Sequence, residues 1–397
     1  MDAFIIDAIR TPRGRGKAGA TLSELRAVDL LGGLFTEMAQ RFDGLDSYAD
    51  DTLIGCATQV GDQGANIGKA ASLMAGWAHS APAATLNRFC ASGLSATAMM
   101  AERAAIHDVV TVAGGVEMMS RTPMLSDKGA MFMDPEIARK LGAMHPGVAA
   151  DLVATQFGFS REDCDAYAAL SQERAAAAQD AGRFRSIVPV RNAAGEVLLA
   201  QDETIRRGNT AEKMAALEPA FVKAGEGRDG DTVRALFPDL GPLTHVHHAG
   251  NSPAMADGAA LVVLASEAAA KRHGLKPRAR IISTAEANVA ITQIGAVEAT
   301  RKALARANMS ADDMDLWEVR DSFAAVTLHY IQQMEAPMDK FNVNGSSIAL
   351  GHPMGATGAV LVGSLLDELE LRGLRRGVVA ITGAAGVASA AVLELVD

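Results

Sequence analysis

The sequence predicts an α/β fold, and three observations carry that reading. Apolar β-branched runs alternate with helical patterns in the first and last thirds of the chain, which is how strands buried on both faces between helices read. The run Val109-Val110-Thr111-Val112-Ala113-Gly114-Gly115-Val116 is echoed by Val378-Val379-Ala380-Ile381-Thr382-Gly383-Ala384-Ala385, so two related units are expected. Residues 121–248 break the pattern. They are more charged, helical and loop-rich, and read as an insertion between two halves of a core.

Residues 4–8 read as a buried strand, followed by a Gly- and Arg-rich loop through Gly16. Residues 21–41 read as an amphipathic helix, with Thr21 as cap and Glu24 three residues on. Residues 51–55 form a short strand, 66–75 a helix and 83–86 an extended run leading to a small-residue helix over 94–106. Ser160 opens a helix that continues to about 181. Residues 201–210 and 224–231 read as polar loops, a strand ends at 315–317, and a last strand spans 378–382.

At 397 residues, 49% of them hydrophobic, the chain can bury a large composite core. With 37 Lys and Arg against 47 Asp and Glu, its formal charge of −10 argues against nucleic-acid binding. The three cysteines, Cys56, Cys90 and Cys164, have no framework spacing, so neither disulfides nor structural zinc are expected. No apolar run reaches membrane-spanning length and no secretory leader is recognisable, so a cytoplasmic setting is expected.

The chemistry centres on Asn87-Arg88-Phe89-Cys90-Ala91-Ser92-Gly93. A thiol at a helix start meets unpaired backbone N–H groups and the positive end of the helix dipole, both of which favour thiolate. A second Gly-rich loop, His352-Pro353-Met354-Gly355-Ala356-Thr357-Gly358, precedes the later helix, and the repeat predicts that both loops face one site. His245, His247 and His248 are clustered, but no matching ligand spacing makes them a metal site.

Together these segments, with Ile9-Arg10-Thr11-Pro12, Gly114-Gly115-Val116-Glu117-Met118-Met119-Ser120, Ala249-Gly250-Asn251-Ser252, Asp257-Gly258-Ala259 and the stretch from Asn344-Gly345 to Gly358, resemble the thiolase family from end to end. The resemblance is strongest to acetyl-CoA acetyltransferases and 3-ketoacyl-CoA thiolases. It implies a five-layer α-β-α-β-α core from two related halves: 1–120 completed by about 249–272, and 273–397, with 121–248 as an inserted loop domain. It also implies a homodimer or homotetramer, acyl-CoA and CoA as substrates, and no tightly bound cofactor.

By the resemblance, Cys90 is the nucleophile that carries the acyl group, and His352 activates it. Gly383 belongs to the oxyanion loop. His145 and Ser252 fall where the family contacts CoA, and Arg228 is a candidate for its phosphates. Two positions depart from the family. Ala380 stands where a second, acid/base cysteine is usual, a loss of about 10²–10⁴-fold without a substitute. Arg320 stands where an Asn or His helps form an oxyanion hole; it can stabilise an oxyanion or bind a carboxylate, but cannot act as a base. Three readings follow: a working thiolase in which His352 or a water replaces the cysteine, a thiolase-fold enzyme passing the Cys90 acyl group to water or another acceptor, and a non-catalytic acyl-CoA-binding homologue. Fatty-acid, sterol-side-chain and aromatic catabolism all remain compatible.

Overall fold

The computed structural model describes residues 3–290 and 293–396. Its strands are β1 (Ala3–Arg10), β2 (Gly14–Arg15), β3 (Ala49–Gly55), β4 (Ala83–Leu86), β5 (Val110–Met118), β6 (Val190–Arg191), β7 (Val197–Leu199), β8 (Ala256–Ser266), β9 (Ala279–Asn288), β10 (Leu316–Val319), β11 (Arg376–Thr382) and β12 (Val387–Leu395). β6 and β7 pair only with each other; the rest form one mixed sheet in the order β10-β11-β12-β9-β1-β8-β5-β3-β4, with β2 against β8.

The two halves repeat. β3 and β5 are parallel, as are β10 and β11. β5–β8 and β8–β1 are antiparallel, matched by β11–β12 and β12–β9. A parallel bridge from Trp317 to Phe341 stands where β4 stands beside β3. The equivalent strands β1 and β9 pair antiparallel, as a two-fold between the halves requires. The resemblance of the 109–116 and 378–385 runs is thus a resemblance of β5 to β11.

Helices Ser92–His107 and Met354–Arg372 fill the middle. They share one core with Ile5, Ala113 and Val262 of the first half and Val379, Ile381 and Leu393 of the second. Ala27–Arg41 covers the outer face of the first half, and Gly295–Ala307 with Ala324–Met334 that of the second, giving five layers. Met354–Arg372 is buried from Met354 to Leu369, so its sequence shows no polar stripe. Its start meets the start of Ser92–His107 backbone to backbone: a Cβ on Gly93 would lie 2.7 Å from Gly355 O, and one on Gly358 2.3 Å from Leu94 N. Only glycine allows that approach.

Three local expectations are corrected. The first long helix begins at Ala27, not Thr21; Asp29 in its first turn accepts from the Arg26 N–H (3.2 Å), and the Thr21 hydroxyl donates to Glu203 (2.7 Å). Residues 224–231 are not a loop but parts of helices Val222–Glu226 and Arg228–Leu236. Residues 315–317 lead into β10 rather than end a strand. No helix among the described residues is long and apolar enough to cross a membrane.

Candidate active site

Cys90 is presented by a tight turn between β4 and Ser92–His107. Asn87 Oδ1 accepts from Phe89 N–H (2.8 Å), and Ser92 Oγ accepts from Arg88 N–H (2.8 Å) while donating to Phe89 O. Phe89 is held at φ +50°, a left-handed conformation uncommon for a bulky residue. The half-buried Cys90 packs against Ala57, Met119 and Met354. Burial pushes its thiol up; Arg320 pulls it down, Glu117 pushes it up, and the N–H groups of Ala384 and of Cys90 itself pull it down. The net direction is up, contrary to the expectation from a helix start. Cys90 precedes the cap residue Ala91 and faces the 384 backbone, so the helix end does not offset its desolvation. Such a thiol needs a base.

His352 stands in the second Gly-rich loop. Its loop is pinned by His352 N–H to Ala254 O (2.8 Å), by Arg13 Nη1 to Gly351 O (3.3 Å) and by Gly355 N–H to Glu117 Oε2 (2.9 Å). Arg13 is itself held, with Arg10, on the buried Asp202 carboxylate (3.3 and 2.7 Å). Nδ1 of His352 lies 2.7 Å from Thr357 Oγ1, and that hydroxyl donates back along the helix to Pro353 O (3.2 Å). With its proton committed there, Oγ1 accepts from Nδ1–H, which leaves the lone pair on Nε2. Nε2 is buried and has no partner among the described residues. Burial, then Arg320 and Arg13, hold the imidazole well below the usual histidine range, so it is neutral.

Arg320 couples to both groups. It is 6% exposed at the end of β10. Its N–H bonds Ala380 O (3.0 Å) and Nη1 donates to Thr382 O (2.7 Å). Asp321 does not neutralise it by contact: its carboxylate accepts from Ile348 N–H (2.7 Å) and Ser171 Oγ (2.8 Å), and burial raises it to about 7. Ala380 is fully buried in β11, between Val319 and Ala390. Gly383 lies against the Cys90 turn, where a Cβ would come within 3.3 Å of Arg88 O, but its N–H is spent on Val387 O (2.7 Å). Besides that of Cys90 itself, the N–H that acts on the sulfur is that of Ala384, one residue on.

The residues assigned to CoA differ in availability. Ser252 is 8% exposed and its hydroxyl has no partner among the described residues. His145 caps helix Pro146–Phe157, its Nδ1 accepting from Gly147 N–H (3.0 Å), with its ring 5.2 Å from Phe221. Arg228 is partly engaged, by Asp229 (3.0 Å) and Phe132 O (3.3 Å). The imidazole cluster is structural: His245 and His247 share Asp151 and His248 bonds Asp165 (2.7–2.8 Å). Among the described residues no group is arranged to hold a metal.

Three supporting residues have no signal of their own in the sequence. Thr357 lies inside the quoted histidine loop. Glu117 lies inside the quoted Gly-Gly-Val-Glu segment and accepts from Ala57, Thr58 and Gly355 N–H and from Gln63. Asp202 sits in a polar loop with no local signal.

Comparison with known proteins shows the family and the fold. Residues 3–268 match the thiolase N-terminal domain and 275–395 the thiolase C-terminal domain. The β-ketoadipyl-CoA thiolase of Pseudomonas aeruginosa is 38% identical, with 100% of this chain and 99% of that protein covered. The 3-ketoacyl-CoA thiolase of Cronobacter sakazakii is 38% identical, with 99% of each covered. The dimeric peroxisomal thiolase of Saccharomyces cerevisiae superposes with a TM-score of 0.86 at 28% identity, covering 100% and 97%.

Proposed function

Since the chain belongs to the thiolase family, acyltransferases that act on acyl-CoA substrates, we propose that it cleaves 3-ketoacyl-CoA through an acyl group carried on Cys90. The observation that carries this reading is the bare Nε2 of His352, fixed as an acceptor by Thr357, in a site where Arg320 couples to both His352 and Cys90.

His352 Nε2 takes the Cys90 proton as the sulfur attacks the 3-keto carbon. Arg320 and the Ala384 N–H favour the negative charge that passes from sulfur to the keto oxygen. The thiolate–imidazolium pair does not stand ready, because Arg320 favours its anion but opposes its cation. Proton transfer is therefore tied to attack. The oxyanion collapses, the C2–C3 bond breaks, and its electron pair leaves on C2 of acetyl-CoA as an enolate. Ala380 has no proton to give, so the proton held by His352 returns to C2. CoA then enters, gives its thiol proton to His352, attacks the Cys90 thioester and releases the shortened acyl-CoA; Cys90 recovers the proton.

Residues 121–248 act as the loop domain over the site, with Ser252 and the neutral His145 on the pantetheine and Arg228 at the phosphates. A homodimer or homotetramer fits the dimeric yeast relative. Ala380 favours one second reading, in which acylation of Cys90 is retained and the acyl group passes to water or another acceptor. Assaying acetoacetyl-CoA and a longer 3-ketoacyl-CoA with CoA tests the proposal. It expects acetyl-CoA and the shortened acyl-CoA, lost in Cys90→Ser; acyl release without CoA consumption supports the second reading.

A further inference from the structure

Behind Arg320, on the side of β10 toward helix Ala324–Met334, lies a narrow recess with a free volume of about 10 Å³. Its polar lining divides sharply. Gln293 is bonded to Pro146 O, Thr327 to Phe323 O and Tyr330 to Thr300. Polar atoms on four other lining residues have no partner among the described residues: Arg320 Nε, Ser322 Oγ, His329 Nδ1 and Thr382 Oγ1. Their residues are 6%, 0%, 4% and 2% exposed, so bulk water does not serve them. Buried polar groups in folded proteins are nearly always bonded. Four unbonded ones around a single recess call for one shared partner.

We propose that this recess is a binding site for one water molecule, and that Ser322, His329 and Thr382 are positioning residues that hold Arg320 through it. Space and chemistry agree. The volume is about that of one water centre, and a buried water makes two to four hydrogen bonds. Arg320 Nε–H can only donate, so the water accepts from it. The hydroxyls of Ser322 and Thr382 serve as donor or acceptor, and His329 Nδ1 as either according to tautomer. Burial lowers His329 to about 4, so it is neutral and adds no second charge beside Arg320. A carboxylate or phosphate is larger than the recess. The water bridges the guanidinium to Ser322, His329 and Thr382, while Nη1 on Thr382 O holds a second point. Two fixed points set the plane of the guanidinium and hence its field at the Cys90 sulfur.

This inference rests on Arg320 acting on Cys90, and the experiment separates the two. One arm is a crystal structure of the full chain at a resolution that defines buried waters. Density for one water touching Arg320 Nε is expected; a dry recess overturns the proposal. The other arm is the pH dependence of Cys90 alkylation by iodoacetamide. Thr382→Val removes the hydroxyl while keeping the carbonyl that binds Nη1, and is expected to move the midpoint up by roughly 0.5–1 pH unit, with Thr382→Ser close to native. Ser322→Ala is expected to act in the same direction. If Arg320→Gln raises the midpoint but Thr382→Val and Ser322→Ala do not, the positioning role fails alone. If Arg320→Gln leaves it unchanged, the action of Arg320 on Cys90 fails and the positioning role with it.

Discussion

Replacing Thr357 with Val keeps the shape of the side chain and deletes one hydroxyl. In the native site that hydroxyl accepts from His352 Nδ1 at 2.7 Å and spends its own proton on Pro353 O. In the variant Nδ1–H is buried without an acceptor, a state that costs about 1–3 kcal/mol. The bond that favoured Nδ1–H is gone, so part of the ring population carries its proton on Nε2, which then has no lone pair for the Cys90 proton, and the imidazolium formed during attack is left without its acceptor. The fraction of the competent tautomer falls accordingly, and the chemical step slows by roughly 5- to 150-fold. Steady-state thiolysis of acetoacetyl-CoA reads this as a fall in kcat, with KM for CoA little changed, because Thr357 is assigned no contact with CoA. Thr357→Ser restores the acceptor and is expected to recover most of the rate. Thermal melting of each variant separates tautomer loss from unfolding. A folded Thr357→Val enzyme with native kcat refutes the assignment of Nε2 as the base.

Three further outcomes follow from other parts of the structure. Ala380→Cys returns a thiol to the vacated position, and thiolysis is expected to rise, by up to about 10²-fold if the thiol enters the proton path; an unchanged or lower rate counts against Ala380 as the missing acid/base position. Because the Cys90 thiol is pushed up, alkylation of the native enzyme should still be accelerating at pH 9, and a plateau reached below pH 8 contradicts this. Asp202→Asn leaves two buried guanidinium groups without their anion and is expected to cost roughly 3–5 kcal/mol in urea unfolding at pH 7. Arg10 and Arg13 overcome burial and hold this carboxyl below its unfolded value of about 4, so its contribution is present above that pH and fades as pH falls through and below it. A loss under 1 kcal/mol at pH 7 contradicts the clamp.

The parts of this protein that were legible in its sequence are those where local pattern and tertiary role coincide. β5 and β11 are buried along nearly their whole length, so their apolar runs read directly and their likeness exposes the repeat. Cys90 and His352 sit in Gly-rich loops whose glycines are demanded by the contact between two helix starts, so the loops advertise the site. Where a distant partner decides, the sequence misleads. Thr21 and Glu24 have the spacing of a capping box, but Thr21 is claimed by Glu203 across the fold. Gly383 carries the Gly expected of an oxyanion loop, yet a bond to Val387 leaves the Ala384 N–H to meet the sulfur. Asp202 lies 192 residues from Arg10, and no spacing rule links them. The depressed acidity of Cys90 was illegible for the same reason, since burial is a property of the packed structure.

The central claim is that Cys90 carries the acyl group, and peptide mass spectrometry after brief mixing with acetoacetyl-CoA tests it most directly. Without added CoA, the peptide containing Cys90 should gain one acetyl group, and added CoA should discharge it as acetyl-CoA. A Cys90 peptide that stays unmodified while the substrate is consumed contradicts the account.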